Sequence, residues 1–227
     1  MTKRVISVFL CVLCVISSIS FIVSAKENKE YTSDNFLSVA DGIIAWKKAD
    51  NGSEPDGYLI NDKYLENAGT TPGDWYPIAL GRLGIQDNNE GYLAVIKDRV
   101  EERYRESGRL SAAKATEWHR IALAVLAMGG DPTNFGTDEN GAPINLIADG
   151  TYDRGKTTPL GRQGINGWIW GLITLDSMRY AVPDGAYNTR DDIIVEIISK
   201  QLSDGGFALS SDDADPDITA MAITALA

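Results

Sequence analysis

The sequence predicts an all-α fold of helical hairpins arranged in two layers, and three observations carry that expectation. Alternation of apolar and polar residues with period two is nearly absent, so strands have no pattern to rest on. Half-polar helical segments alternate with segments that are apolar nearly all round. The apolar segments recur at spacings of 43, 50 and 50 residues, each opened by a similar short run.

At the N-terminus, Lys3 and Arg4 precede a long apolar run that ends in Val23-Ser24-Ala25, small residues of the kind a signal peptidase reads. The expected organisation is a signal peptide at residues 1–25, a linker at 26–34 and one helical domain over 35–227. A retained membrane anchor is the other reading, because the run is close to the minimum of about 17 residues for spanning. Cys11 and Cys14 both fall inside it, so a mature chain would have neither disulfides nor thiol chemistry. The chain carries 32 acidic and 21 basic residues, a net charge of −11, and cleavage would remove two of the bases. Such a surface repels phosphate backbones and anionic lipid heads. Nucleic acid is therefore not an expected partner, and membrane contact is expected only through the signal before cleavage. The expected location is secreted or at the cell surface.

The half-polar helices are read from their stripes. Tyr92, Ile96, Val100 and Tyr104 fall four apart among Lys97, Asp98, Arg99, Glu101, Glu102 and Arg103, which predicts one buried face. Ile193, Ile194, Ile197, Ile198 and Leu202 make a second stripe, with Thr189 and Asp192 at capping-box spacing ahead of it. Residues 78–83, 121–128, 168–175 and 218–227 have almost no polar face and are expected to be buried on all sides. Their openings align: Asp74-Trp75-Tyr76-Pro77-Ile78-Ala79-Leu80 with Glu117-Trp118-His119-Arg120-Ile121-Ala122-Leu123, and more loosely with the runs starting at Gly167 and Asp217. Amphipathic helices outside and apolar helices inside satisfy this alternation. Gly129-Gly130-Asp131-Pro132 and Val182-Pro183-Asp184-Gly185 punctuate the units. The last segment reads as a helix interior without a cap, so a longer protein is expected, with about four helical pairs from Phe36 onward.

Gln201-Leu202-Ser203-Asp204-Gly205-Gly206-Phe207 resembles the Gln-x-x-Asp-Gly-Gly-aromatic repeat of squalene cyclases and protein prenyltransferase β subunits. Asp215-Pro216-Asp217-Ile218-Thr219-Ala220 resembles the segment that opens the next inner helix in those families. The resemblance implies an incomplete α/α toroid, a fold shared with transcobalamin-type carriers and secreted bacterial prenyltransferase-like repeat proteins. It covers residues 35–227 as architecture and about 200–225 in its motifs. It implies that Gln201 bonds the N-terminus of the next inner helix and that Phe207 plugs the gap between hairpins. Prenyltransferase zinc requires a cysteine that the mature chain lacks. In class II cyclases an Asp of an Asp-x-Asp-Asp-Thr-Ala motif is the general acid; Asp217 stands in its place and Ile218 in that of its partner. Asp217 is thus open to two readings, a catalytic acid or a helix cap.

By the same resemblance, the starts of inner helices line one mouth of a central cavity. The expected ligand-binding rim is then Asp74, Trp75, Tyr76, Glu117, Trp118, His119, Arg120, Gln163, Asn166, Trp168 and Trp170. An aromatic concavity with a few polar groups suits a ligand, and packing of hairpin on hairpin is the other use of these tryptophans. His119 is the one histidine and has no neighbouring ligand set in sequence. No cofactor is required by the sequence. Asp213 and Asp215 are calcium candidates without the loop and closing glutamate that a calcium-binding loop uses. Three functions stay open: a non-catalytic binding module for an apolar or cofactor-sized small molecule or a cell-surface partner, a class II terpenoid-cyclase-like enzyme, and a structural or adhesive surface repeat.

Overall fold

The computed structural model describes residues 32–153 and 159–227. The expected signal peptide, its cleavage point and most of the linker lie outside the described residues. The chain divides into two units, Met1–Ile44 and Ala45–Ala227. The first unit contains the opening of helix α1 (Ser33–Asn51), where Phe36, Leu37, Val39 and Ile43 are exposed. Residues 35–44, expected to open the helical domain, belong to this unit.

The second unit is helical, and among the described residues its one extended pairing is an isolated bridge between Thr137 and Pro143. After α1 come α2 (Asp62–Leu65), α3 (Thr71–Leu83), α4 (Asn89–Ser107), α5 (Thr116–Ala127), α6 (Ile165–Asp176), α7 (Arg190–Ile198) and α8 (Pro216–Leu226). A π-helical turn (Ala148–Tyr152) and a 3-10 turn (Leu160–Gln163) lie between α5 and α6. No helix among the described residues is long and apolar enough to cross a membrane.

The helices marked by the repeat touch one another in chain order: α3 packs on α5, α5 on α6, and α6 on α8. Position in that row explains their burial. The middle members, α5 and α6, have a neighbour on both sides, and neither exposes a residue before Asp176. The end members have one open side, and Ala79 on α3 and Ile223 on α8 are exposed. The expected all-round burial thus applies to the middle pair and fails at the two ends.

Local chemistry sets each helix. Pro77 lies inside α3, and without an N–H it cannot donate to the Gly73 carbonyl one turn back. The Tyr64 hydroxyl donates to that carbonyl instead, at 3.1 Å. A Cβ on Gly81 would overlap the Ala127 carbonyl, so glycine there lets the α3 and α5 backbones close together. On α4 the stripe is as the spacing predicts: Tyr92, Ile96, Val100 and Tyr104 are all at most 1% exposed. At α7, Thr189 and Asp192 form the reciprocal capping box. Its stripe is narrower than expected, because the helix ends at Ile198, which is 53% exposed, and Leu202 lies beyond it in a turn.

The Gln201–Phe207 segment also differs in one detail. Gln201 Nε2 donates to the Gly205 carbonyl at 2.8 Å, closing its own turn and not reaching the next helix. Phe207 is buried, and its N–H donates to Thr219 Oγ1 on α8. The cap of α8 is Asp215, whose Oδ1 accepts from the N–H groups of Asp217 and Ile218. Asp217 is therefore not the cap; it sits exposed in the first turn.

Candidate functional site

Three helix starts converge on one cleft. Thr71 and Trp75 come from α3, Thr116, Glu117 and Arg120 from α5, and Asn166 and Trp170 from α6, with Lys114 and Gln163 contributed by the adjoining segments. The cleft has a volume of about 210 Å³. Trp75 and Trp170 meet across it with ring centroids 5.6 Å apart and planes inclined at 56°.

Behind this wall lies a buried ionic network. Asp74, with no exposed surface, accepts from the Gly69 N–H (2.7 Å), the Tyr92 hydroxyl (2.7 Å) and Arg120 Nε (2.8 Å). Arg120 spends its other donors on Thr71 Oγ1, the Gly69 carbonyl and both oxygens of Glu117. All five guanidinium hydrogens are thereby placed. Arg103 reaches Glu117 from α4 at 3.4 Å. Asp74 and Glu117 occupy equivalent positions in two repeats, and one guanidinium holds both. Burial raises the Asp74 carboxyl above its ordinary value, against the hydrogen bonds from Arg120 and Tyr92. Burial also pulls Glu117 up, but Arg120 and Arg103 outweigh it and hold this carboxyl low. Burial would lower Arg120, and Glu117 and Asp74 more than restore it.

A second network ties α4 to the π-helical turn. Trp118 Nε1 donates to the Tyr104 hydroxyl (2.8 Å), which donates to Asp149 Oδ2 (2.5 Å). Burial and the Asp149 charge push the Tyr104 phenol well above its usual range. Next to it, His119 Nε2 lies 2.7 Å from the Gly150 carbonyl, so Nε2 carries the proton in the neutral ring. Nδ1 is buried without a partner. Burial lowers the His119 imidazole to about 4, keeping it neutral.

The expected rim residues fall into two groups. Trp75, Glu117, Arg120, Gln163, Asn166 and Trp170 line the cleft. Asp74, Trp118 and His119 are core residues at most 1% exposed, because their side chains turn into the interface between α3, α5 and their neighbours. Tyr76 faces away from the lining, edge-on to Tyr64 at 6.4 Å, and Trp168 packs at Gly161. Asp217 is exposed and outside the cleft. Among the described residues no group of His, Cys, Asp or Glu side chains is arranged to hold a metal ion, and Asp215 is engaged as the α8 cap. Sequence reasoning missed Thr71, Lys114 and Thr116. Thr71 and Thr116 open their helices, a position from which a short side chain can face the same end as the tryptophans.

The two amides differ from the charged groups. Gln163 Oε1 accepts from the Thr116 N–H (3.3 Å) and hydroxyl (3.0 Å), acting as a remote cap where α5 has none of its own. That fixes its orientation and leaves Nε2 without an acceptor among the described residues. Asn166 Oδ1 is buried and has no hydrogen-bond partner among the described residues. Comparisons with protein-family models, with curated proteins and with solved structures find no match to this chain.

Proposed function

We propose that residues 45–227 form a small-ligand-binding module, delivered outside the cytoplasm by the N-terminal apolar segment and built as an arc of the α/α toroid. The contact order α3, α5, α6, α8 supports the arc. The observation that carries the binding reading is the cleft itself. It combines an aromatic pair of which Trp75 is exposed, a buried amide oxygen without a partner, and a rigid ionic frame whose donors are all occupied. Buried polar atoms are almost always satisfied, and one left open in a concavity is an invitation to a ligand. No specific observation favours acid catalysis by Asp217, which lacks the dry pocket that would keep a carboxyl protonated.

The test is a thermal-shift screen of a small-molecule library against the wild-type protein and Trp75→Ala. The reading predicts ligands that raise the wild-type melting temperature and fail to raise that of the variant. A library in which every stabilising compound acts equally on both would contradict it.

A further inference from the structure

Resting on the binding reading above, we propose that the cleft recognises a neutral saccharide, one pyranose ring of which packs on Trp75 and Trp170 with its hydroxyls on the Asn166 and Gln163 amides. Charge is the first argument. Asp74, Glu117, Arg120 and Arg103 neutralise one another, and the Arg120 hydrogens are fully engaged, so this wall offers an ionic ligand no open counter-charge. Lys114 stands exposed at the mouth, outside the buried frame.

Besides the exposed Lys114, the polar groups still open are amides. An amide both donates and accepts, and so does each hydroxyl of a sugar. The Gln163 Nε2 donors and the Asn166 amide, both in the cleft lining, can therefore meet one polyol edge. A purely apolar ligand would cover the Gln163 Nε2 donors without supplying an acceptor, which disfavours a hydrocarbon guest. The aromatic geometry argues against a flat heterocycle. The two indoles touch at 5.6 Å and are inclined at 56°, so no parallel slot exists to clasp a planar base on both faces. A pyranose needs only one indole face for its C–H side. The net charge of −11 further disfavours phosphorylated ligands.

Size sets how much of the glycan is held. At about 210 Å³ the cleft is smaller than the roughly 300–1,000 Å³ of drug-sized pockets, which suits a single ring. Trp75 remains 43% exposed and Lys114 is exposed, so the rest of a chain can leave through the mouth.

The test uses calorimetry and saturation-transfer NMR with glucose, galactose, mannose and N-acetylglucosamine and their short oligomers, with adenosine and farnesol as competitors of other chemistry. At least one neutral sugar is expected to bind the wild type. Trp75→Ala and Asn166→Ala should each weaken it about tenfold or more with unchanged melting temperature, and Trp75→Phe should retain most of the binding. If adenosine or farnesol binds in a Trp75-dependent way and no sugar does, the saccharide proposal falls and the binding reading stands. If a sugar binds equally to all variants, the cleft is not its site and the proposal falls. If none of these compounds binds, the saccharide proposal falls and the library screen alone decides the broader reading.

Discussion

Replacing Arg120 by leucine tests the ionic frame. The substitution removes five placed hydrogen bonds and leaves Asp74, which has no exposed surface, holding only the Gly69 N–H and the Tyr92 hydroxyl. Glu117 keeps Arg103 and enough solvent exposure to remain hydrated. Stranding one member of a buried pair costs about 3–5 kcal/mol, mostly as the penalty on the charge left behind. For a domain of this size each kcal/mol lowers the melting temperature by about 2–4 °C, so a drop of about 6–20 °C is expected. Adding Asp74→Asn removes the stranded charge while keeping an acceptor for Gly69 and Tyr92. The double variant should then be more stable than Arg120→Leu alone. Urea unfolding followed by far-ultraviolet circular dichroism measures all three proteins. A loss below about 1 kcal/mol for Arg120→Leu, or a double variant no better than the single, would refute the reasoning.

Other expectations follow from the same geometry. His119 is held neutral with its imidazole near 4 when folded and near the ordinary 6.5 when unfolded. The unfolded chain therefore binds the extra proton between these values. Stability from this site is full above pH about 6.5, falls by about 1.4 kcal/mol per pH unit on acidification, and levels off near pH 4. His119→Gln, which keeps a donor for Gly150, should flatten that part of the pH–stability curve relative to wild type; identical slopes would contradict it. Trp118→Ala should cost about 3–5 kcal/mol in urea unfolding, since the ring is wholly buried and donates to Tyr104. Thr189→Ala should cost about 0.5–2 kcal/mol by removing the capping box of α7, read by the same assay.

The sequence makes the helices legible because each stripe repeats at helical spacing. Tyr92, Ile96, Val100 and Tyr104 are buried as their period requires, and Thr189 with Asp192 caps where the spacing places it. What the sequence hides is the neighbour of each helix. Trp75 and Trp118 open matching segments, yet one is 43% exposed and the other not at all. The difference lies in what each ring meets: Trp75 looks into the cleft toward Trp170, while Trp118 turns to Tyr104 on α4. A local alignment contains no term for that. The partnership of Arg120 with Asp74 was hidden for the same reason, since it joins residues 46 apart in sequence. The Glu117–Arg120 spacing of one helical turn was the available hint that the guanidinium is structural. Gln163 illustrates a third gap: its remote capping of Thr116 follows from the 3-10 turn that brings it over the α5 start.

The most direct test of the cleft as a ligand site is the indole N–H spectrum of the nitrogen-labelled protein, recorded as each ligand that raises its melting temperature is titrated in. The account predicts that the Trp75 and Trp170 signals move together with one saturation curve, while that of Trp118, locked on Tyr104, stays in place. Shifts confined to the other tryptophans, with Trp75 and Trp170 unmoved at saturation, would contradict it.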